Sequence, residues 1–272
     1  KKVFDRIVLE APDFFSFELV DFENPDEKLN SQLTETDAII GQISLTDAQY
    51  GCAKKLRIIQ TLSAGYDRID LEKAKRHNVL ISNNNGANAI SVAEHVLMLI
   101  LALYRNLIFH HRATTVGPWK NLKWTNIQLE GKNLGIFGLG FIGKALAKKA
   151  VAMGVNVNYF DIERKFKEEE SLGINYMFPE ELLKKSDIVS YHVPKTKFTQ
   201  KLINQKSLNL MRKEALLINA SRGYIHDEKA IFNALSQGKI FGAGLDVFEI
   251  EPLPENSPLR KLDNALLTPH SA

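Results

Sequence analysis

One cysteine, Cys52, stands among 272 residues. A lone thiol forms neither an internal disulfide nor a CxxC or zinc-ribbon ligand set, so a reducing, cytoplasmic setting is expected. Long hydrophobic runs are missing too. The most apolar stretch, His95 to Tyr104, spans about ten residues where a bilayer crossing needs roughly 20, so no membrane partner is expected. Charge of one sign does not accumulate: 35 Lys plus Arg against 32 Asp plus Glu leaves a net charge of +3, spread along the chain. Nothing in that balance asks for nucleic acid or anionic lipid. Repeats and low-complexity tracts are absent, and none of the seven histidines lies in an HExxH or facial-triad arrangement, so no metal is expected. The first residues, Lys1 to Asp5, carry neither a signal-peptide core nor an initiator Met, and the chain is expected to have been trimmed at its start.

What is present is ordinary globular material: 44% apolar and 25% charged residues, enough for one large or two modest domains. Up to Ser82, short apolar runs rich in β-branched residues (Ile7–Leu9, Ala38–Ile40, Leu56–Thr61, Val79–Ile81) alternate with helix-compatible stretches such as Ala48–Lys55 and Asp70–His77. That rhythm predicts a small parallel α/β domain. Phe14 to Ser31 does not separate strand from loop. Asn83 to Asn88 is rich in residues that tolerate positive φ and marks a domain boundary. Ser91 and Glu94 then suggest a capping box opening an apolar helix to about Phe109, fit for burial at a domain or subunit interface. Arg112 to Gln128, with Trp119 and Trp124 as expected packing anchors, reads as an irregular arm.

From Lys132 a second series of apolar strands alternates with helices, which predicts a doubly wound sheet: strands 134–137, 155–160, 188–192, 216–219, 243–247 and 265–267, with helices 143–153 and 228–237. Between its first strand and first helix lies Gly138-Leu139-Gly140-Phe141-Ile142-Gly143. In that context the glycines serve a tight turn, a close approach of pyrophosphate and close helix packing, while helix N-terminal amides face the phosphates. Asp161, ending the next strand, is placed to accept from ribose hydroxyls and to repel a 2′-phosphate. Arg164 and Lys165 are cations that could accommodate such a phosphate, so NAD is expected with NADP as the alternative. Glu168-Glu169-Glu170 reads as a solvated helix face.

Three further segments end strands on the same side of the sheet: Asn219-Ala220-Ser221-Arg222-Gly223, Asp246 to Pro252 with Glu251, and Thr268-Pro269-His270-Ser271-Ala272. Arg222 can grip a carboxylate through two parallel hydrogen bonds, and His270, beside Glu251, can exchange a proton. These are the parts needed to reduce a 2-oxo acid. The other histidines read differently: His77, His110, His111 and His226 as surface or turn residues, His95 as packed or at an interface, and His192 as lining a cofactor cleft through its backbone. Cys52 reads as a small buried hydrophobe.

Those segments, together with Ser63-Ala64-Gly65-Tyr66-Asp67, Asn88 to His95, and His192-Val193-Pro194 followed by Thr199, make nearly the whole chain resemble the D-isomer-specific 2-hydroxyacid dehydrogenase family, of glycerate and phosphoglycerate dehydrogenase type. The resemblance implies an α/β protein of two Rossmann- or flavodoxin-like doubly wound domains, the cofactor domain inserted in the substrate domain. It implies catalytic Arg222, Glu251 and His270. Cofactor contacts are expected from Gly138, Gly140, Phe141, Ile142, Gly143, Asp161, His192, Val193, Pro194, Thr199, Ala220, Ser221, Asp246 and Ala272, and substrate contacts from Ser63, Ala64, Gly65, Arg222 and His270. Residues 1–88 would be the substrate domain and 89–269 the NAD-binding domain, with 270–272 opening a return segment that is expected to continue beyond Ala272. A homodimer through the cofactor domain and helix 90–109 is implied, as is a small D-2-hydroxy acid substrate, glyoxylate or glycerate/hydroxypyruvate first. Asn85 replaces the family's common Pro before Gly86. An NAD(H)-sensing, corepressor-like protein is the competing reading; a formate dehydrogenase would have Gln where Glu251 stands.

Overall fold

The computed structural model describes residues 2–20, 29–117 and 126–272, in two compact units, 1–85 and 86–272. In the first unit, α1 (Lys2–Glu10) and α2 (Leu29–Glu35) precede β1 (Ala38–Ile40), α3 (Asp47–Cys52), β2 (Ile58–Gln60), α4 (Leu71–Arg76) and β3 (Leu80–Ser82). The strands pair in parallel in the order β1-β2-β3, with Ile39 opposite Ile59 and Ile59 opposite Ile81. Leu33, Leu45, Tyr50, Ile59 and Ala74 form the core over them. Side chains fix the helix starts: Thr46 and Gln49 make a capping box on α3, and Asp70 accepts from the Lys73 amide on α4.

Ile7–Leu9, expected as a strand, lies in α1. No strand of the sheet pairs with it, so the backbone satisfies itself internally, and Arg6 bonds Glu10 one turn on at 2.8 Å. The stretch from Phe14 to Val20 is neither helix nor strand, and the chain is helical from Leu29. Cys52 is partly exposed and a free thiol, not buried as expected.

The second unit begins with α5 (Ala89–Tyr104) and α6 (Leu107–Val116). There follow β4 (Asn133–Phe137), α7 (Phe141–Ala152), β5 (Asn156–Phe160), α8 (Phe166–Leu172), β6 (Asn175–Tyr176), α9 (Pro179–Lys185) and β7 (Ile188–Tyr191). The last elements are α10 (Gln205–Leu210), β8 (Leu216–Asn219), α11 (Glu228–Ser236), β9 (Gly242–Leu245) and β10 (Ala265–Leu267). Seven parallel strands run in the order β10-β9-β8-β7-β4-β5-β6. The chain winds outward from β4 to β6, returns to β7 on β4's other side, and winds outward again, so the topological switch point lies between β4 and β7.

Both faces of this sheet are buried. Leu134, Ile136, Ile188, Leu216 and Ile218 pack with α5 and α7, and their strand neighbours Phe137, Val189 and Leu217 pack into the opposite core with α9, α10 and α11. Two apolar faces on one strand require the continuous hydrophobic runs seen in the sequence.

Two expectations about the helical region need correction. The Ser91–Glu94 capping box is not formed: α5 starts two residues earlier, Asn88 at its N-cap makes no side-chain cap bond, and Glu94 instead bonds Lys149 at 2.7 Å. The single helix to Phe109 is broken at Arg105–Asn106, where Asn106 adopts φ +48° and the axis bends by 58°. Asn tolerates that left-handed turn, and the chain resumes as α6 through residues expected to form an arm. Trp119 and Trp124 lie outside the described residues. Among the described residues no single helix is long and apolar enough to cross a membrane; nine of the sixteen residues of α5 are buried, making it a core helix.

Candidate active site

At the β4–β7 switch point the chain leaves β4 through Gly138 at φ +90°, where a β-carbon would sit 2.7 Å from the His192 carbonyl oxygen. A β-carbon on Gly143 would overlap the Gly138 carbonyl, so α7 can lie this close to the loop only with glycine there. Gly140 faces open space and occupies the N-cap of α7 without a side-chain cap bond. The first-turn amides of α7 are therefore presented outward as an anion site, with Phe141 exposed and Ile142 packed toward the core. Asp161, at the end of β5, accepts from the Leu139 amide at 2.7 Å through Oδ2 and from the Glu163 amide at 3.3 Å through Oδ1. The first of these bonds ties the ribose-side carboxylate to the glycine loop. Open loop, uncapped helix and tied carboxylate together fit a dinucleotide.

The β7 end closes one side of the loop. His192 Nε2 lies 2.9 Å from Ser190 Oγ, and its Nδ1 is buried without a partner. Burial pushes this imidazole down to about 4, so it stays neutral. Val193 packs against the core below Gly138. Pro194 to Thr199 forms a small closed loop in which the Thr199 hydroxyl donates to the Pro194 carbonyl at 2.7 Å and accepts from the Thr196 amide at 2.8 Å.

At the β8 end, Asn219, the first residue of the Asn219 to Gly223 segment, is a hub whose side-chain role the sequence does not announce. Its Oδ1 accepts from the Ser221 amide (3.0 Å) and hydroxyl (2.8 Å), which fixes the amide orientation. Its Nδ2 then donates to the Arg222 carbonyl (3.1 Å) and to His226 Nδ1 (2.9 Å). His226 therefore carries its proton on Nε2, which faces Glu228 Oε1 at 3.8 Å. Expected at the surface or in a turn, His226 closes the turn at Gly223–Ile225 and is fully buried there, held by Asn219. Ala220 and Ser221 are buried beside it, and Arg222 follows in extended backbone with Nη1 donating to the Ser221 carbonyl at 2.7 Å.

At the β9 and β10 ends, His270 Nδ1 lies 2.7 Å from Glu251 Oε2, while Glu251 Oε1 accepts from the Phe248 amide at 3.0 Å. An ionised carboxylate only accepts, so His270 Nδ1 carries a proton and Nε2 is the nitrogen left for chemistry. Both side chains remain accessible, at 47% and 36% exposure. His270 holds φ +52°, with its amide donating to the Asp246 carbonyl oxygen at 2.8 Å.

Asp246 itself is fully buried and its carboxylate is occupied. It accepts from the Thr268 hydroxyl (2.6 Å) and the amides of Ser271 (2.9 Å) and Ala272 (3.0 Å). Since the one Thr268 proton goes to Asp246, His95 Nε2, 3.1 Å from Thr268 Oγ1, is the donor in that contact. The Asp246 carboxylate, the Ala272 amide and the Ser221 and Thr199 hydroxyls are thus each engaged in hydrogen bonds within the protein.

In the first unit, Ser63, Ala64 and Gly65 form a loop whose three carbonyls all accept hydrogen bonds. Thr61 Oγ1 bonds the Ser63 oxygen (2.6 Å), Asn83 Nδ2 that of Ala64 (2.8 Å) and Gln42 Nε2 that of Gly65 (2.8 Å). With the acceptors engaged, the amides of Ala64 and Gly65 are the loop's donors. Among the described residues no group of His, Cys, Asp and Glu could hold a metal ion.

A glycine loop at the switch point, an Asp at the end of the next strand, and an Arg and a His–Glu pair on adjacent strand ends define a nicotinamide-dependent oxidoreductase. Residues 97–272 match the family model of the D-isomer-specific 2-hydroxyacid dehydrogenase NAD-binding domain. The chain is 35% identical over 281 residues to a glyoxylate reductase of Korarchaeum cryptofilum, covering 100% of this chain and 84% of that one. Among solved structures it is similar to D-lactate dehydrogenase of Aquifex aeolicus complexed with NAD and lactic acid (TM-score 0.78, 31% identity, 89% and 78% covered). It is also similar to an acyclic imino acid reductase in complex with NADPH and D-Arg (TM-score 0.80, 31% identity, 90% and 78% covered). The chain belongs to the D-isomer-specific 2-hydroxyacid dehydrogenase family. It is an NAD-dependent oxidoreductase that interconverts a 2-hydroxy acid and its 2-oxo acid.

Proposed function

We propose that the substrate is a small 2-oxo acid of glyoxylate or hydroxypyruvate type, reduced to its 2-hydroxy acid with Arg222, His270 and Glu251 in the catalytic roles. The observation that carries this is the His270–Glu251 contact of 2.7 Å at strand ends shared with the glycine loop. The name of the Korarchaeum relative supports the substrate class. When bound, the nicotinamide supplies the hydride for the carbonyl carbon. His270 donates the proton from Nε2 to the oxygen that gains charge, and Glu251 stabilises the imidazolium while orienting the ring. Arg222 grips the carboxylate through paired N–H donors. The glycine loop from Gly138 to Gly143 and α7 hold the pyrophosphate, with Asp161 on the ribose.

A sensor that merely bound NAD(H) would have no use for an oriented acid–base pair. A cytoplasmic homodimer joined through residues 90–109 completes the proposal; exposed Ile90, Met98, Leu107 and Ile108 support it, and light scattering reads the mass. The function is tested by NADH oxidation with glyoxylate, hydroxypyruvate, pyruvate and longer 2-oxo acids. We expect His270→Ala to lower kcat by about 10²–10⁴-fold and Arg222→Ala mainly to raise KM and lower kcat. Unchanged turnover in either variant sinks the assignment, and NADH binding without turnover on any acid favours the sensor.

A further inference from the structure

Beyond Asp161 the β5–α8 loop carries two cations, and a third, Lys144, stands in the first turns of α7. Each already has its own carboxylate. Lys144 pairs with Glu168, Lys165 with Glu163 at 2.5 Å, and Arg164 with Glu169. The three pairs are unequal. Glu163 is 76% exposed, and a Lys–Glu contact in that setting is loose and easily exchanged. Arg164, by contrast, donates from Nε to Glu169 Oε1 at 2.9 Å and from Nη2 to Oε2 at 2.8 Å, the parallel fork that holds best.

The fork is also fastened at its far side. The Lys165 amide donates to the Tyr159 hydroxyl at 2.7 Å, so that hydroxyl turns its single proton to Glu169 Oε1, also at 2.7 Å. The Glu169 side chain is only 16% exposed. The Arg164 guanidinium lies 4.7 Å from the ring centre of Phe166 and 5.6 Å from that of Tyr176, a further restraint on its direction. The Arg164 guanidinium and then the Tyr159 hydroxyl hold the Glu169 carboxyl below its ordinary range, so it remains ionised. Two of the three glutamates expected to form a solvated face are thus occupied with cations near the ribose carboxylate.

We propose that Glu169 is a cofactor-specificity residue: by clamping Arg164 it withholds the cation that a 2′-phosphate requires, and so reinforces the preference for NAD(H) over NADP(H). The proposal rests on the reading of residues 138–143 and Asp161 as the dinucleotide site. Asp161 disfavours the phosphate by direct repulsion. Glu169 acts separately, by occupying the counter-charge, so the two contributions can be removed one at a time.

The test is equilibrium binding of NADH and NADPH, followed by energy transfer from protein fluorescence to the nicotinamide, on the full chain without substrate. Glu169→Gln keeps the shape and removes the charge. NADPH is expected to bind about tenfold tighter to it than to the wild type, with the NADH Kd unchanged within about twofold. The gain should vanish in Glu169→Gln/Arg164→Met. An unchanged NADPH Kd in a Glu169→Gln protein that binds NADH normally overturns the proposal, as does a gain that survives Arg164→Met. If Glu169→Gln loses NADH binding, Glu169→Ala is read by the same two criteria. Failure of the wild type to bind either dinucleotide overturns the dinucleotide reading itself, an outcome distinct from the other two.

Discussion

His270 keeps a left-handed backbone that costs a residue with a β-carbon about 1–2 kcal/mol, and its φ of +52° persists because the neighbouring groups leave no other arrangement. Its amide is held by the Asp246 carbonyl, and the carboxylate of that same residue gathers Thr268, Ser271 and Ala272 around it. His95 completes this ring of contacts from α5, as donor to Thr268. We therefore expect His95→Phe to lower kcat by roughly tenfold, while His95→Gln, which can place an N–H near the lost Nε2, recovers most of it. NADH affinity should stay within about twofold in both, measured by fluorescence titration beside steady-state kinetics. His192 yields a second residue-level expectation. Its folded value near 4 lies below the ordinary 6.5, so between them the unfolded chain binds the proton more readily. Stability from this residue is complete above that range and is lost as pH falls toward 4, by on the order of 3 kcal/mol. Urea midpoints from pH 7 to pH 4 should show a shallower decline in His192→Gln than in the wild type. The His270–Glu251 contact was legible because short motifs bring both residues to neighbouring strand ends. The burial of His226 was not, because it depends on the Asn219 side chain, a partner seven residues away that no local pattern reveals.

At the scale of elements, the β4-loop-α7 unit was the clearest part of the sequence, since Gly138 and Gly143 answer to contacts that only glycine permits. Gly143→Ala is expected to weaken NADH binding at least tenfold and to destabilise the protein by about 1–3 kcal/mol, because the added carbon meets the Gly138 carbonyl, a backbone group that cannot rotate away. Fluorescence titration and thermal unfolding read the two effects separately. Strands buried on both faces were equally legible. β6 was not, being two residues at the sheet edge, Asn175 and Tyr176, with no apolar run to announce it. The strand expected at Ile7–Leu9 failed for the opposite reason: its composition suits a sheet, but pairing is a tertiary property and no partner strand exists there among the described residues. The reading of α5 and α6 as one helix failed at Asn106, whose left-handed turn is permitted by its side chain but not demanded by it.

At the scale of the molecule, each unit has its own core: the cluster around Leu33, Tyr50 and Ile59 belongs to residues 1–85, and the two clusters flanking the seven-stranded sheet belong to 86–272. A ligand stabilises the unit that binds it. NADH at 100 times its Kd adds about 2.7 kcal/mol to the second unit, so hydrogen exchange should slow in β4, α7 and β5, while β1 to β3 change little when no substrate is present. Equal protection of both units would contradict that division. The units divide at 85/86, inside the stretch Asn83 to Asn88 that lacks any periodic apolar pattern, and residues 270–272 stay with the second.

Gly86, the first residue of the second unit, carries φ +87°, and a β-carbon there would stand 2.9 Å from the ring of Phe141. That ring heads α7, the helix that the glycine loop opens. The thread joining the units is thus pinned, at one end, to the mouth of that loop. A twist of the backbone at this joint turns directly against the Phe141 ring, so the first residue of α7 limits it without any relay through the sheet.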